Sequence, residues 1–375
     1  MNELQQLVRA WGPVEESGGE AVLATLVKVS GSTYRRPGAR MLMTEDRWLA
    51  GAISGGCLEG DLLRKAWWRT AGGDPAMIRY DSTTDDDEEV RWGFGLGCNG
   101  TLDVLLERLT ASDANPLAFV RRCQAAREAG VMATVIRTTP DAGARIGERL
   151  LLRANGIVGC TLTDRELAAS VVADARAALA AEQSSHRIYG AGTIELFIEV
   201  LLPARPLVIF GSGYDVLPLV ELAKRLGWHV TVVEGRASLA ARERFRPADR
   251  ILVVPAAELD RVPLDARTAV VIMSHNYDRD LAVLKRALAS AASYVGILGP
   301  RKRTDRLLDD MGRAGVRPTP ARLSRLHGPI GLDLGAEGPV EIALSIVAEI
   351  QSVLARRTGA SLGETQPRPQ ALAAP

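Results

Sequence analysis

Two of the four cysteines stand among glycines, where a thiol is accessible and a bulky partner can approach. Cys57 follows Gly55 and Gly56 and precedes a stretch with helical periodicity, Leu58 to Arg69. Helix N-termini favour the reactive thiolate form, and thiolates bind soft metal centres. Cys98 lies in Gly95-Leu96-Gly97-Cys98-Asn99-Gly100, just before an apolar strand over Thr101 to Leu106. For Cys98 a functional thiol and a buried small hydrophobe are both open readings. Cys123 and Cys160 lack such surroundings and are expected to be buried small hydrophobes. No two cysteines have the spacing of a zinc clip.

A second constellation lies in the C-terminal half. Gly211-x-Gly213-x-x-Val216 follows a short apolar strand and opens a helix, the context in which a glycine fingerprint has meaning. The first glycine makes the turn, the second admits a phosphate, and the helix N-terminus supplies free N–H groups. Glu234 stands 23 positions after Gly211 at the end of the next strand, where ribose hydroxyls are held. Val216 crowds the third small-residue position. His275, in Ser274-His275-Asn276-Tyr277-Asp278, and Arg301, in Gly299-Pro300-Arg301-Lys302-Arg303, follow two further apolar strands. His275 is a candidate acid–base or ligand contact, against a plain helix cap from Asn276 or Asp278. Arg301 and Arg303 are both available for an anion. The acidic run Asp85 to Glu89 is read as a solvated face. Nucleophile elbow, Walker loop and HExxH motifs are all missing, so the pattern points to a site that holds something rather than one that breaks a bond.

The elements that position these residues come in two kinds. Ala24-Thr-Leu-Val27 matches Ala133-Thr-Val-Ile136 at an offset of 109, and Arg36-x-Gly38-x-Arg40-Met-Leu-Met43 matches Arg145-x-Gly147-x-Arg149-Leu-Leu-Leu152 at the same offset. One deletion later, Gly51 aligns with Gly159. Each copy reads as two strands about a glycine turn, a short third strand and an amphipathic helix. Only the first copy has Gly-Gly-Cys. From Leu207 the rhythm becomes continuous apolar runs separated by helices, the mark of a parallel sheet covered on both faces. The fold class is therefore α/β: a C-terminal Rossmann-like parallel sheet domain, preceded by an α+β region containing an internal repeat. Domains are placed at 1–110, 111–203 and 204–355, with a disordered tail at 356–375.

In 375 residues, 46 Lys+Arg against 45 Asp+Glu leave a formal charge of +1, which argues against nucleic acid or anionic lipid as partner. The longest uncharged stretch, Ala287 to Pro300, has 14 residues, short of a membrane span. No apolar signal core follows Met1, and four cysteines make no disulfide framework, so a cytoplasmic protein is expected.

The blocks together resemble the XdhC/CoxI family, accessory factors that mature molybdenum hydroxylases such as xanthine dehydrogenase and CO dehydrogenase. The resemblance runs from about Val22 to Ile350. It rests on Gly31-Ser-Thr-Tyr-Arg35, Gly38-Ala-Arg-Met41, Ser54-Gly-Gly-Cys-Leu-Glu59, Gly95-Leu-Gly-Cys-Asn-Gly100, Phe210-Gly-Ser-Gly-Tyr-Asp215, Met273-Ser-His-Asn-Tyr277, Gly296-Ile-Leu-Gly-Pro-Arg301 and Pro329-Ile-Gly-Leu-Asp333. It departs at Tyr214, where relatives often carry His or Asp, and at Glu234, where they often carry Asp. The resemblance implies a carrier that binds the molybdenum cofactor, as molybdopterin or its dinucleotide form, protects it during sulfuration and delivers it to an apo molybdenum hydroxylase. It also implies a cysteine desulfurase as partner, and a homodimer is a further arrangement it admits. Cys57 would contact the molybdenum, with Gly55, Gly56, Cys98, Gly211, Gly213, Glu234, His275 and Arg301 completing the cofactor site. The alternatives are an NAD(P)-dependent oxidoreductase and a sulfurtransferase carrying a persulfide on Cys57.

Overall fold

A computed structural model describes residues 3–31, 33–81, 100–111, 115–235 and 243–365. Cys98 lies outside them. The chain divides at Pro203/Ala204 into two compact units.

The first unit holds two copies of one antiparallel layout. Copy one has α1 (Glu3–Glu16), β1 (Ala21–Gly31), β2 (Arg40–Met43), β3 (Trp48–Gly51), α2 (Glu59–Arg69), β4 (Ala76–Asp81) and β5 (Gly100–Leu109), with sheet order β3-β2-β1-β5-β4. Copy two has α3 (Pro116–Ala126), β6 (Gly130–Thr138), β7 (Arg149–Arg153), β8 (Gly156–Cys160), α4 (Arg165–Ala181), β9 (Ser185–Tyr189) and β10 (Ile194–Leu201), with order β8-β7-β6-β10-β9. In each copy one helix covers each face of its sheet. Leu62 and Ala66 of α2 pack on Val22, Ala24 and Met41, while Leu7 and Trp11 of α1 pack on Leu23 and Leu42. Leu167, Val171 and Ala175 of α4 and Phe119 and Val120 of α3 do the same in copy two.

Strand register corrects the sequence alignment at one point. Met41 pairs with Gly51 and Leu150 with Cys160, so the offset of 109 persists through the third strand with no deletion. Matching the two glycines misleads, because the ladder pairs by position. Further on, Ala24 faces Leu106 and Ala133 faces Ile198, so the last strands are offset by only 92. The chain between β4 and β5 is therefore 17 residues longer than its counterpart, and Cys98 falls in that connection by sequence.

The copies meet through equivalent residues. β1 and β6 each carry a bulge that skips one residue, Val27 and Ile136, again 109 apart. Those two side chains pack with Leu105 and Phe197 in one buried cluster. The Val27 carbonyl accepts a hydrogen bond from His186 Nε2 of copy two at 2.7 Å. Beside this cluster the copies exchange charges. Arg40 Nη1 donates to Glu199 Oε1 at 2.8 Å and to the Gly38 carbonyl at 2.9 Å, while Nη2 donates to Glu199 Oε2. Arg149 likewise donates to Glu107 and to the Gly147 carbonyl. All four charged side chains are at least nine-tenths buried.

The second unit is a six-stranded parallel sheet. Its elements are β11 (Pro206–Phe210), α5 (Val216–Arg225), β12 (His229–Glu234), β13 (Arg250–Val253), β14 (Ala269–Ile272), α6 (Tyr277–Ala289), β15 (Tyr294–Ile297), α7 (Arg301–Arg313), α8 (Pro320–Leu323), β16 (Leu326–His327) and α9 (Pro339–Leu354). The order β13-β12-β11-β14-β15-β16 is that of a Rossmann fold. Helices α5 and α9 cover one face through Leu219, Val220, Ile346 and Ile350, and α6 and α7 the other through Val283, Leu284, Leu307 and Met311. Leu226 lies just past the last residue of α5 and is exposed. Among the described residues no helix is long and apolar enough to cross a membrane.

Removing one partner of an exchanged pair leaves a buried charge uncompensated, which costs about 3–5 kcal/mol. Glu199→Ala should destabilise the first unit by about that much, and the double change Arg40→Met with Glu199→Leu by much less. Urea unfolding followed by tryptophan fluorescence reads this directly, since five of the six tryptophans lie before residue 204.

Candidate functional site

The chain from Ile53 to Leu58 connects β3 to α2. Gly55 and Gly56 are exposed, Cys57 is half-buried, and Leu58 and Glu59 are buried. Gly56 has φ +113° with open space around its Cα, so the turn needs glycine for its backbone rather than for room. The loop is held from beneath. Glu59 Oε1 accepts the N–H groups of Ile53 at 3.0 Å and Ser54 at 2.7 Å, and Oε2 accepts the Ser54 hydroxyl. The same hydroxyl oxygen accepts the N–H groups of Gly56 at 3.2 Å and Leu58 at 3.1 Å. Burial pushes the Glu59 carboxyl up, but the hydrogen bonds from the Ser54 hydroxyl and from the loop amides outweigh it and hold it below the usual carboxylate range. The ring of Tyr34, itself exposed, lies 3.8–4.0 Å from where a Cβ on Gly55 would be. The result is a free thiol on a fixed loop, beside bare glycine backbone and an open aromatic ring.

The other cysteines separate. Cys123 is buried as expected, with burial raising its thiol pKa. Cys160 is exposed, against expectation, because β8 is an edge strand with its outer residues uncovered.

In the Rossmann unit, Gly211, Gly213, Glu234 and His275 gather at the C-terminal edge of the sheet. The Gly211 N–H donates to Val233 O at 3.2 Å, one residue before Glu234. A Cβ on Gly211 would lie 2.3 Å from Met273 O, and its φ is +144°. Glu234 is buried at the end of β12. His275, at φ +57°, donates from Nε2 to Asp215 Oδ2 at 2.8 Å. Asn276 caps α6 by accepting from Arg279 N–H at 2.9 Å, so capping and the exposed His275 are separate features. Arg301 is exposed at the first residue of α7, 3.9 Å from Asp305. Arg303, expected beside it for an anion, is instead spent on buried Asp280 at 2.7 Å, which also accepts from the Ser274 hydroxyl at 2.5 Å.

A Rossmann sheet implies a dinucleotide, and the residues do not fit one. The Asp215 carboxylate stands where a Cβ on Gly213 would be, with Oδ1 at 2.3 Å, on the surface the second glycine opens for a pyrophosphate. A carboxylate there repels phosphate. Val216, by contrast, is absorbed in the core and obstructs nothing. Asp215, Ser54 and the backward reach of Glu59 carry roles that the sequence reading left unassigned. The signals were there: an acid inside the glycine fingerprint, and a Ser and a Glu flanking Gly-Gly-Cys.

A model of the XdhC and CoxI family matches residues 14–81 and again 123–190, and a model of the XdhC Rossmann domain matches residues 207–350. The two matches to the first model are themselves 109 residues apart. A protein of Bacillus subtilis (strain 168), named as a probable xanthine dehydrogenase subunit, is 33% identical over 343 residues, covering 89% of this chain and 93% of its own. The molybdenum cofactor insertion chaperone PaoD of Escherichia coli (strain K12) is 25% identical over 341 residues, covering 90% and 84%. A crystal structure described as a xanthine dehydrogenase from Bacillus halodurans has a TM-score of 0.74 at 28% identity, covering 97% of this chain and 99% of the other.

Gly211→Ala should cost about 3 kcal/mol or more, since backbone strain and a clash with fixed backbone add. Gly56→Ala meets no atom and should cost only about 1–2 kcal/mol of strain. Thermal unfolding of the two variants in parallel checks the order.

Proposed function

This chain belongs to the XdhC and CoxI family, and from that premise we propose that it carries the molybdenum cofactor as cargo: it holds the cofactor while its terminal sulfido ligand is installed and hands it to an apo molybdenum hydroxylase. The observation that carries this reading is the Gly55-Gly56-Cys57 loop, present in one copy of the repeat and absent from the other. Thiolate is the protein ligand suited to a soft metal centre, and the half-buried Cys57 thiol still opens to the surface. The bare glycine backbone lets a bulky ligand come close, and the open Tyr34 ring offers a face to a flat heterocycle. Cys98, in the longer β4–β5 connection of the same copy, is a second thiol for this cargo. Gly211, Gly213, Glu234, His275 and Arg301 form a polar edge of the Rossmann unit whose Asp215 carboxylate disfavours a phosphate at Gly213 and leaves the exposed Arg301 as the anion contact there. A cysteine desulfurase supplies the sulfur, and the setting is the cytoplasm.

An accessible Cys57 would equally carry a persulfide, which makes the sulfurtransferase the second reading. Both are tested on full-length protein produced with its cofactor pathway intact. Molybdenum is measured by mass spectrometry, pterin by fluorescence after oxidation, and sulfane sulfur by cyanolysis. Stoichiometric pterin and molybdenum support the carrier; sulfane sulfur without them supports the transferase. Cys57→Ala should lower bound molybdenum at least tenfold with an unchanged melting curve, and Cys123→Ala should leave loading as in the native chain. Full loading of the Cys57 variant would end the proposal.

A further inference from the structure

We infer that Glu59 is the positioning residue for Cys57 and acts through Ser54; the inference rests on the reading of Cys57 as the cargo contact. An acid at the start of a helix ordinarily serves the helix. In copy two Asp164 does this, accepting the N–H groups of Glu166 and Leu167 at 2.8 and 3.0 Å. In copy one Leu58 is the N-cap and has no side-chain cap. Glu59 reaches backward into the loop, where it takes two loop amides and the Ser54 hydroxyl. Ser54 passes the hold on by accepting from Gly56 and Leu58.

These last two contacts flank the thiol. Gly56 N–H is fixed on one side of Cys57 and Leu58 N–H on the other, so the Cys57 backbone is pinned at both ends by one oxygen atom. Two consecutive glycines would otherwise make this the least ordered stretch near the site. The arrangement reconciles two demands on the loop. It has no side chains in the way of a large ligand, and it still presents its sulfur in one place. The second copy has neither the Gly-Gly-Cys nor the backward-reaching acid.

The test uses the full chain and variants Glu59→Gln, Ser54→Ala and Ser54→Thr, with iodoacetamide as probe. Alkylation of Cys57 and of exposed Cys160 is followed in the same sample by mass spectrometry. Glu59→Gln and Ser54→Ala should each raise the Cys57 rate at least fivefold while Cys160 stays within twofold, and amide exchange at Gly56 and Leu58 should accelerate. Ser54→Thr, which keeps the hydroxyl, should return Cys57 to the native rate. Bound molybdenum in Glu59→Gln should fall at least fivefold. An unchanged Cys57 rate in both disruptive variants, a parallel rise at Cys160, failure of the threonine to rescue, or full molybdenum loading despite faster alkylation would each overturn the inference. Loss of the cargo reading is recognised separately, by full loading of Cys57→Ala.

Discussion

A guanidinium taken out of water beside a carboxylate holds its partner more strictly than any apolar contact, because losing the partner leaves an ion with neither solvent nor counter-charge. The first unit makes this demand twice, with Arg40 on Glu199 and Arg149 on Glu107. Each pair joins the second strand of one copy to the long last strand of the other. Each arginine is also tied to the carbonyl of the glycine turn two residues before it. Neither sheet can slip along the other without breaking both pairs. The bulges at Val27 and Ile136 belong to the same arrangement, since they turn those two side chains into the shared cluster. With the frame set this way, the chain connecting β3 to α2 contributes little to holding the copies together. It was free to become a two-glycine loop in one copy and remain plain in the other.

The frame also explains which parts of the site were legible beforehand. The repeat was visible because the residues that make the exchanged contacts, Arg40 and Arg149 with their glycine turns, have to recur at fixed spacing. The parallel sheet was visible because strands buried on both faces need unbroken runs such as Leu207-Val-Ile-Phe210 and Ala269-Val-Val-Ile-Met273. The Gly-Gly-Cys loop stood out through its glycines. What stayed hidden were partnerships across distance. Nothing in the neighbours of Arg40 announces Glu199, and Arg303 reads as a free cation until Asp280 is seen beneath it. Cys160 was misjudged for a related reason: the burial of a small hydrophobe depends on whether its strand is central or at an edge, and topology settles that.

Asp215 shows how one residue can redirect an inherited layout. The sheet order, the glycine turn and the helix that follows are those of a dinucleotide fold, and Gly211 is held to glycine by the Met273 carbonyl whatever the ligand. The carboxylate at Asp215, joined to His275, places negative charge at the helix end that would otherwise attract phosphate. The layout serves stability, and the side chains on its rim decide what may approach.

The contact between the two copies is of the kind found in symmetric dimers, where one patch meets an equivalent patch and each residue finds its own counterpart. Here both patches are on one chain. A symmetric dimer carries every loop twice and comes apart on dilution; the tethered pair does neither, since its halves face each other at an effective concentration set by the short connection between Leu109 and Pro116. Covalent fusion thus turns a two-fold frame into an object with a single Gly-Gly-Cys loop per polypeptide, at any protein concentration.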